Sequence, residues 1–396
     1  MFPQTSGTIY LDHAATTPVD PAAALAMQPY LTQHFGNPSS IYQLGQDGRG
    51  GLDRARASIA RVLACHPAEI VFTSGATESD NLALGGIAWQ ARLGHPSGST
   101  PHIITSAIEH HAVLDTAKWL ETIGFSVSFA PCDERGIVVP REIERSIRPE
   151  TCLISVMYAN NEVGSIQPVA AIGEVAKRHQ IPFHIDATQA PGLLPLSVRE
   201  LGADLLTLSA HKFYGPKGVG LLYVRKGTAI TWQQHGGGQE SGRRAGTENV
   251  AGIVGMAVAL EQAEARRVSY ARQCRAMRDR LAEGILERIP DVRLNGPELG
   301  DARLANNLHV EIPGVQGETV LLSLDMQGVA ASAGSACTTG NAEPSHVLLA
   351  MGLGEERARA SLRFSVGLTN SPEQIDEALD ILVDTVNRIR ELSERR

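Results

Sequence analysis

The chain has 396 residues, of which 43% are hydrophobic and 20% charged, and its formal net charge at pH 7 is −8. This composition is that of a globular protein rather than a disordered one, and the length leaves room for two or three domains. A mildly acidic chain of mixed charge is poorly suited to binding nucleic acid or a membrane surface, so we expect neither partner.

The cysteine spacing and the length of the apolar runs indicate the cellular location and whether a disulfide framework, a zinc site or a membrane span is expected. The five cysteines are odd in number, widely spaced and without a Cys-x-x-Cys pair: Cys65, Cys132, Cys152, Cys274 and Cys337. This pattern argues against a disulfide framework and against a structural zinc site. The N-terminal sequence lacks the features of a signal peptide, and no run of about 18 apolar residues occurs. We therefore expect a cytoplasmic protein without a bound metal ion.

Short apolar runs alternate with segments of helical periodicity between residues 70 and 225. Strands are predicted at 70–72, 102–104, 126–129, 153–156, 183–185, 205–208 and 220–224. Helices are predicted between most of them, for example at 112–120 and 168–178. Strands that alternate with helices predict a mostly parallel sheet with helices on both faces. In such a sheet the ligand binds beyond the carboxyl ends of the strands.

The remainder of the chain predicts a smaller α+β domain. Residues 248–287 are expected to be mostly helical and to connect the two domains. The segments that follow are strands at 308–312 and 361–366, an extended piece at 329–331, and helices at 318–326 and 372–392. Ser371 is the predicted N-cap of the last helix, and Gln374 completes a capping box with it.

Two residues at strand ends suggest a cofactor. Lys212 follows the strand 205–208, and Asp186 ends the strand 183–185. A lysine in a partly desolvated site can bind an aldehyde, and an acid on a neighbouring strand could keep the ring nitrogen of pyridoxal phosphate protonated. Taken singly, each has an ordinary alternative: a surface lysine at a strand end, and a carboxylate that caps a loop.

A candidate phosphate site lies where the first of these strands passes through Gly75 into a helix. Glycine lets backbone N–H groups approach an anion, Thr77 adds a hydroxyl, and a helix N-terminus favours negative charge. Ser209 and His211 could donate to the same phosphate. The glycine spacing is neither that of a Walker A motif nor that of a dinucleotide fingerprint, and a plain capped helix start is the alternative. The glycine-rich segment 236–247 is either a second anion-binding loop or a flexible surface loop.

Two more strand ends carry polar side chains. His110 and His111 could bind a metal ion, but no cluster of further ligands with metal spacing accompanies them. A histidine here could instead stack on a cofactor ring and transfer protons near neutral pH. One residue of the pair Asn160 and Asn161 could hydrogen-bond a ring hydroxyl, or the pair could simply form a turn.

Cys337 differs from the other four cysteines, which lie in apolar or helical contexts. It lies in a run of small, polar and glycine residues, 331–341, which we expect to be exposed and mobile. A thiol with a pKa of about 8.5 is partly ionised at neutral pH and is a good nucleophile. An ordinary loop cysteine without function is the alternative.

Eight motifs together resemble the cysteine desulfurases of the class V aminotransferase group, of the NifS/IscS kind. They are YLDHAATT (10–17), TSGATES (73–79), EH (109–110), NNEVG (160–164), DATQ (186–189), SAHK (209–212), RAGT (244–247) and GSAC (334–337). The resemblance implies fold type I of the pyridoxal-phosphate enzymes, in the α/β class. A large domain, 15–257, would contain a mostly parallel seven-stranded sheet, and a small α+β domain, 1–14 and 258–396, would carry the cysteine loop.

The resemblance also implies a role for each matching residue. Lys212 would bind the cofactor aldehyde, and Asp186 its ring nitrogen. His110 would stack on the ring and transfer protons, Gln189 and Asn160 would lie near the ring hydroxyl, and Asn160 would also contact the substrate. The implied phosphate ligands are Gly75, Ala76, Thr77, Ser209 and His211, with Thr247 contributed from the second subunit of a homodimer. Arg363 would bind the substrate carboxylate at two points, and Cys337 would accept the sulfur.

The implied reaction converts L-cysteine to L-alanine and leaves a persulfide on Cys337. The sulfur would pass to an acceptor or iron–sulfur scaffold protein, for iron–sulfur cluster assembly or thiolation. One departure is Ser241, where a basic residue is expected. Another lyase of the same cofactor class, for carbon–sulfur bonds or selenocysteine, would not need Cys337. A scaffold without catalysis should lack Lys212, Asp186 or Cys337, and the sequence has all three.

Overall fold

The computed structural model describes residues 7–94, 100–333 and 343–394. Its strands within these ranges are β1 (Ile9–Tyr10), β2 (Ile70–Thr73), β3 (His102–Ser106), β4 (Ser126–Ala130), β5 (Thr151–Ser155), β6 (Phe183–Asp186), β7 (Leu205–Ser209), β8 (Gly220–Val224), β9 (Arg293–Leu294), β10 (Asn307–Glu311), β11 (Val329–Ala330) and β12 (Ser361–Ser365). Its helices are α1 (Pro21–Thr32), α2 (Gln43–Leu63), α3 (Ala76–Gly94), α4 (His111–Thr122), α5 (Pro140–Arg145), α6 (Val169–Arg178), α7 (Val198–Leu201), α8 (Gln239–Gly242), α9 (Val250–Ala265), α10 (Arg267–Arg288), α11 (Gly317–Asp325), α12 (His346–Ala350), α13 (Glu355–Arg359) and α14 (Pro372–Glu394).

The seven strands predicted between residues 70 and 225 form one sheet. Its order is β2-β8-β7-β6-β5-β3-β4, and only β8 runs antiparallel to its neighbours. Every residue of β7 is buried, with Leu205 in the core on one face and Leu206 in the core on the other. Such burial on both faces is expected where helices cover a parallel sheet on each side. The predicted fold class, with a mostly parallel seven-stranded sheet, is confirmed.

A second, smaller core forms around antiparallel strands. β10 lies between β9 and β12, and β1 pairs with β11 in a separate parallel ladder. The predicted capping box at the start of α14 is present: the Gln374 backbone N–H donates to Ser371 Oγ over 3.3 Å, and the Ser371 N–H donates to Gln374 Oε1 over 3.2 Å. No helix in the described parts of the chain is both long and apolar enough to cross a membrane.

The predicted domain limits stay a prediction, and the two hydrophobic cores suggest a modified division. α9 is one continuous helix, and its buried Ile253 and Leu260 pack in the large core. α10 begins beyond Arg266, and its buried Cys274 and Leu281 pack in the small core. Because the predicted boundary at 257/258 cuts through α9, we propose instead that the division falls at Arg266. Val347 and Leu348 of α12, placed in the small domain by prediction, pack in the large core, whereas Ile9 and Leu11 pack in the small one.

Candidate active site

A cavity of about 690 Å³ opens at the carboxyl ends of the parallel strands. The topology explains this position, because parallel strands bring their carboxyl ends, and the loops that follow them, to one edge of the sheet. Ten of the predicted site residues line the cavity: Gly75, Ala76, Thr77, His110, Asp186, Gln189, Ser209, His211, Lys212 and Arg363.

Lys212 lies in the turn that follows β7, with its amine against the N-terminal segment of the chain. Its Nζ donates to the carbonyl oxygens of Ala14 and Ala15 over 2.7 and 2.8 Å. The same segment is tied to this turn by Thr17, whose Oγ1 donates to the His211 carbonyl over 2.9 Å. The amine is therefore held at one wall of the cavity by backbone oxygens.

Asp186 ends β6, the strand next to β7, and is paired with Thr207 in the ladder. Its Oδ1 accepts from the Thr188 N–H over 2.9 Å, and the residue is buried but lines the cavity. The acid and the amine therefore reach one cavity from adjacent strands, as the sequence predicted.

A layer of buried polar side chains lies behind Asp186. His184, two residues earlier on the same face of β6, makes hydrogen bonds of 2.8 Å with Ser155 and 3.0 Å with Thr207. Burial lowers the pKa of His184 to about 3. The Asp80 carboxyl from α3 lies 3.6 Å from His184 Nε2, and burial together with the charge of Asp186 raises the pKa of Asp80 well above its usual range. These shifts favour neutral His184 and Asp80 beneath Asp186.

The candidate phosphate site is the turn between β2 and α3. Gly75 forms the turn, and the first backbone N–H groups of α3, from Ala76 and Thr77, lie at the N-terminus of a helix of 19 residues. Gly220 of β8 packs directly behind it, since a Cβ at Gly220 would lie 2.7 Å from the Cα of Gly75. Thr77 and Ser209 line the same cavity as Gly75 and Ala76, and hydroxyls together with helix N-terminal N–H groups are donors suited to an anion.

His110 is held as the N-cap of α4. Its Nδ1 accepts from the Ala112 N–H over 3.1 Å, so the proton of the neutral ring is on Nε2. Burial lowers the pKa of His110, and the positive charge of Lys212 adds to this effect, whereas the charge of Asp186 opposes it. A neutral imidazole with a fixed tautomer can donate a proton from one defined atom.

Arg363 in β12 brings a buried cation to the cavity. Its Nη1 donates to the Asn161 carbonyl over 3.0 Å, and its Nη2 donates to Asp12 Oδ1 over 2.8 Å. Its Nε is buried and has no hydrogen-bond partner among the residues described. A guanidinium with unused donors at a cavity wall is suited to binding a carboxylate.

The asparagine pair corrects one prediction. The Asn160 side chain does not line the cavity: its Nδ2 donates to the Ile108 carbonyl over 2.9 Å, and its Oδ1 accepts from the N–H groups of Glu162 and Val163. Asparagine commonly bonds to its own turn in this way, which leaves it nothing to offer a ligand. The next residue, Asn161, lines the cavity and replaces Asn160 in our candidate set.

Two other residues singled out from the sequence, Thr247 and Ser241, do not line the cavity of the described chain. Thr247 is exposed, and its predicted contribution to the phosphate site of the second subunit stays a prediction. Ser241 is exposed in the left-handed backbone region, with φ at 60°, and no contact of its side chain explains the expected basic residue. Cys337 falls in 334–342, outside the described residues.

Sequence reasoning also missed charged groups at the cavity. Lys217 lines it, five residues beyond Lys212, and Glu78 of α3 lines it with its carboxylate paired to Arg244 over 2.8 Å. The sequence signal for Lys217 is Gly218, because a glycine indicates a turn. A turn that begins five residues after Lys212 is expected at the same edge of the sheet. In the described ranges, no group of three or more potential ligands is placed to hold a metal ion.

The aminotransferase class-V family matches residues 9–378 of the chain. The chain belongs to the aminotransferase class-V family. This class-V chain is 49% identical over 385 residues to cysteine desulfurase IscS of Methanosarcina thermophila, covering 97% of this chain and 93% of the relative.

Solved structures agree with this membership. A NifS-like protein has a TM-score of 0.89 and 37% identity to this class-V chain, covering 96% of it and 100% of the other chain. A structure described as SspA in complex with cysteine has a TM-score of 0.79 and 38% identity to this chain. The match covers 92% of this chain and 100% of the other. The predicted family, the predicted fold type and the class of enzyme, a pyridoxal-phosphate-dependent cysteine desulfurase, are confirmed.

The residues at the cavity fit the cofactor of this family. Pyridoxal phosphate has an aldehyde, a ring nitrogen and a phosphate, and the cavity lining contains a group suited to each: the amine of Lys212, the carboxylate of Asp186, and donors at Gly75 and Thr77. The turn at Gly75 is tightly packed, because a Cβ at Gly220 would lie 2.7 Å from the Cα of Gly75 and displace it.

Proposed function

We propose that the protein converts L-cysteine to L-alanine and transfers the sulfur as a persulfide on Cys337. One observation carries the proposal: Lys212 and Asp186 line a single cavity from the ends of adjacent strands, and Gly75 lines the same cavity. The names of the relatives support cysteine as the substrate. Arg363 supports an amino-acid substrate, because a buried guanidinium with unused donors suits an α-carboxylate.

The cofactor would be held by residues at the ends of four strands. Lys212 would hold the aldehyde, Asp186 the ring nitrogen, and Gln189 with Asn161 the ring hydroxyl. The phosphate would be bound by Gly75, Ala76, Thr77, Ser209 and His211, and by Thr247 from the second subunit. When bound, pyridoxal phosphate supplies an aldehyde for amines and a ring that accepts electrons from the substrate Cα.

The side chains of the protein then divide the work of binding and proton transfer. Arg363 orients the substrate through its carboxylate, which fixes the position of Cα and of the thiol. The Lys212 amine takes the proton from Cα and returns it when the product forms. His110 donates and recovers a proton at Nε2, the atom that its N-cap hydrogen bond leaves free. Asp186 provides the negative charge opposite the ring nitrogen.

The sulfur step requires a nucleophile, which we assign to Cys337. Its thiolate attacks the substrate Sγ, so that a sulfur–sulfur bond forms as the substrate Cβ–Sγ bond breaks. The electron pair of the broken bond stays on carbon, which takes up a proton and leaves as alanine. The outer sulfur of the persulfide is then open to attack by an acceptor thiol, on an iron–sulfur scaffold or in a thiolation pathway.

A homodimer and a cytoplasmic location complete the proposal. Several large apolar side chains on and after α1 are exposed and support a surface for a second copy: Leu25, Leu31, Phe35, Ile41 and Tyr42. A dimer would double the chain mass of 42.3 kDa, which light scattering measures directly. The cytoplasmic location rests on the cysteine pattern of the sequence.

The test of the function is product analysis with the purified protein. Wild-type protein with bound cofactor should release alanine from L-cysteine, and sulfide when a reducing thiol is present. Lys212→Ala should lose both the cofactor absorbance and turnover, because no amine remains to hold the aldehyde. Turnover by Lys212→Ala equal to the wild type would reject the assignment. Preference for selenocysteine over cysteine would favour a selenocysteine lyase instead.

A further inference from the structure

The N-terminal segment 12–16 contacts four of the candidate site residues, although none of its own residues was assigned a role. The contacts are Asp12 Oδ1 with Arg363 Nη2 at 2.8 Å, the Ala14 carbonyl with Gln189 Nε2 at 3.0 Å, the Ala14 and Ala15 carbonyls with Lys212 Nζ at 2.7 and 2.8 Å, and Thr16 Oγ1 with His211 Nδ1 at 3.1 Å. Among these contacts, only that of Asp12 is made by a charged side chain of the segment.

Asp12 is itself fixed in place by the strand that carries Arg363. It forms a parallel bridge with Ser365 of β12, where the Ser365 N–H donates to the Leu11 carbonyl over 2.7 Å. The Ala14 N–H donates to Ser365 Oγ over 2.8 Å. The carboxylate of Asp12 is therefore built into the same sheet as the guanidinium that it contacts.

The guanidinium of Arg363 is contacted by an acceptor at each of its two terminal nitrogens. Nη2 donates to the Asp12 carboxylate and Nη1 donates to the Asn161 carbonyl oxygen. The arginine side chain is only 2% exposed. Arginine has five N–H donors, so three remain after these two bonds, enough for a carboxylate bound at two points. The two acceptors fix the plane of the group, and the remaining donors have no hydrogen-bond partner among the described residues.

We propose that Asp12 is the positioning residue of the carboxylate-binding arginine: it holds the guanidinium of Arg363 in the orientation that binds the substrate. The proposal rests on the proposed function, since it assumes an amino-acid substrate. Asp12 also offsets the charge of a buried arginine while the cavity holds no carboxylate. Without this anion the arginine is free to rotate toward other acceptors, and binding of the substrate has to reorder it.

The experiment compares substrates with and without a carboxylate. KM and kcat are measured with L-cysteine and with L-cysteinamide for wild type, Asp12→Ala and Asp12→Asn, each with its cofactor. Asp12→Ala should raise the KM for L-cysteine about tenfold, the effect of one lost charge-assisted contact, and leave kcat within about twofold. Its KM for L-cysteinamide should not change. Asp12→Asn keeps an acceptor oxygen for Nη2 but not the charge, so its KM for L-cysteine should lie between those of the wild type and Asp12→Ala.

The control variant is Asp380→Ala, which removes an exposed Asp–Arg pair of 2.7 Å on the surface and should leave every constant unchanged. Should Asp12→Ala fail to fold, Asp12→Ser gives the same test, since its hydroxyl is one bond too short for Nη2. An unchanged KM for L-cysteine in the folded variant, or an equal rise with L-cysteinamide, overturns the role of Asp12. Absence of alanine release by the wild type rejects the proposed function instead.

Discussion

The packing of Gly220 against Gly75 gives a prediction whose size follows from the structure. A Cβ at Gly220 would lie 2.7 Å from the Cα of Gly75 and 2.7 Å from the carbonyl oxygen of Leu208. Ordinary contact begins at 3.4 Å, so one partner has to move by roughly 0.7 Å. Both partners are backbone: one is the candidate phosphate turn, and the other belongs to β7, the strand that leads to Lys212.

Gly220→Ala should therefore affect stability and cofactor binding together. Overpacking of a well-packed core costs about 1–3 kcal/mol, and a clash with backbone on two sides places this variant near 3 kcal/mol. Movement of the Gly75 turn also shifts the N–H groups proposed to bind phosphate. A loss of about 1.4 kcal/mol there weakens cofactor binding tenfold. Urea unfolding of the cofactor-free protein and a titration with pyridoxal phosphate measure the two effects separately.

The matched control is Gly94→Ala at the end of α3. A Cβ at Gly94 meets nothing within 4 Å, so alanine should be neutral there or stabilise the helix by about 0.5 kcal/mol. If Gly220→Ala unfolds at the same urea concentration as Gly94→Ala and binds the cofactor equally well, the close packing behind the phosphate site is refuted.

Three further predictions concern the nucleophile, the asparagine pair and the buried histidine. Cys337→Ala should keep the absorbance of bound cofactor but release little alanine from L-cysteine, and near-normal turnover would exclude the persulfide step. Asn160→Ala should lower the free energy of unfolding by about 2–3 kcal/mol through its lost buried hydrogen bonds, whereas Asn161→Ala should mainly weaken cofactor binding; the reverse pattern would restore the original assignment. Because the pKa of His184 is lowered to about 3, below the usual 6.5 of the unfolded chain, stability should fall as the pH drops below 6.5, by about 2 kcal/mol at pH 5 for this residue. His184→Gln should remove that part of the loss between pH 7 and pH 5, and an unchanged pH dependence of urea unfolding would contradict it.

Local sequence was sufficient to predict the elements and to select residues that the structure brings to one cavity. The seven strands from β2 to β8 were predicted close to their observed limits because apolar runs and turn residues mark buried strands strongly. Once a parallel sheet was predicted, its topology required that Lys212, Asp186 and Gly75 lie at the same edge, since each follows or ends a strand. The capping box of Ser371 and Gln374 was equally local, because both partners lie within one helical turn.

Only the tertiary structure decided which way side chains point and which residues far apart in sequence are in contact. The sequence cannot distinguish Asn160 from Asn161, because the choice depends on which side chain bonds back to its own turn and which faces the cavity. The proposed division at Arg266 rests on which core α9 packs in, and this is a matter of packing rather than of composition. Asp12 meets Arg363 across 351 positions of sequence because β12 and the N-terminal segment lie side by side. A contact between residues so far apart in sequence has no local sequence signal, because it forms only when the fold brings the N-terminal segment beside β12.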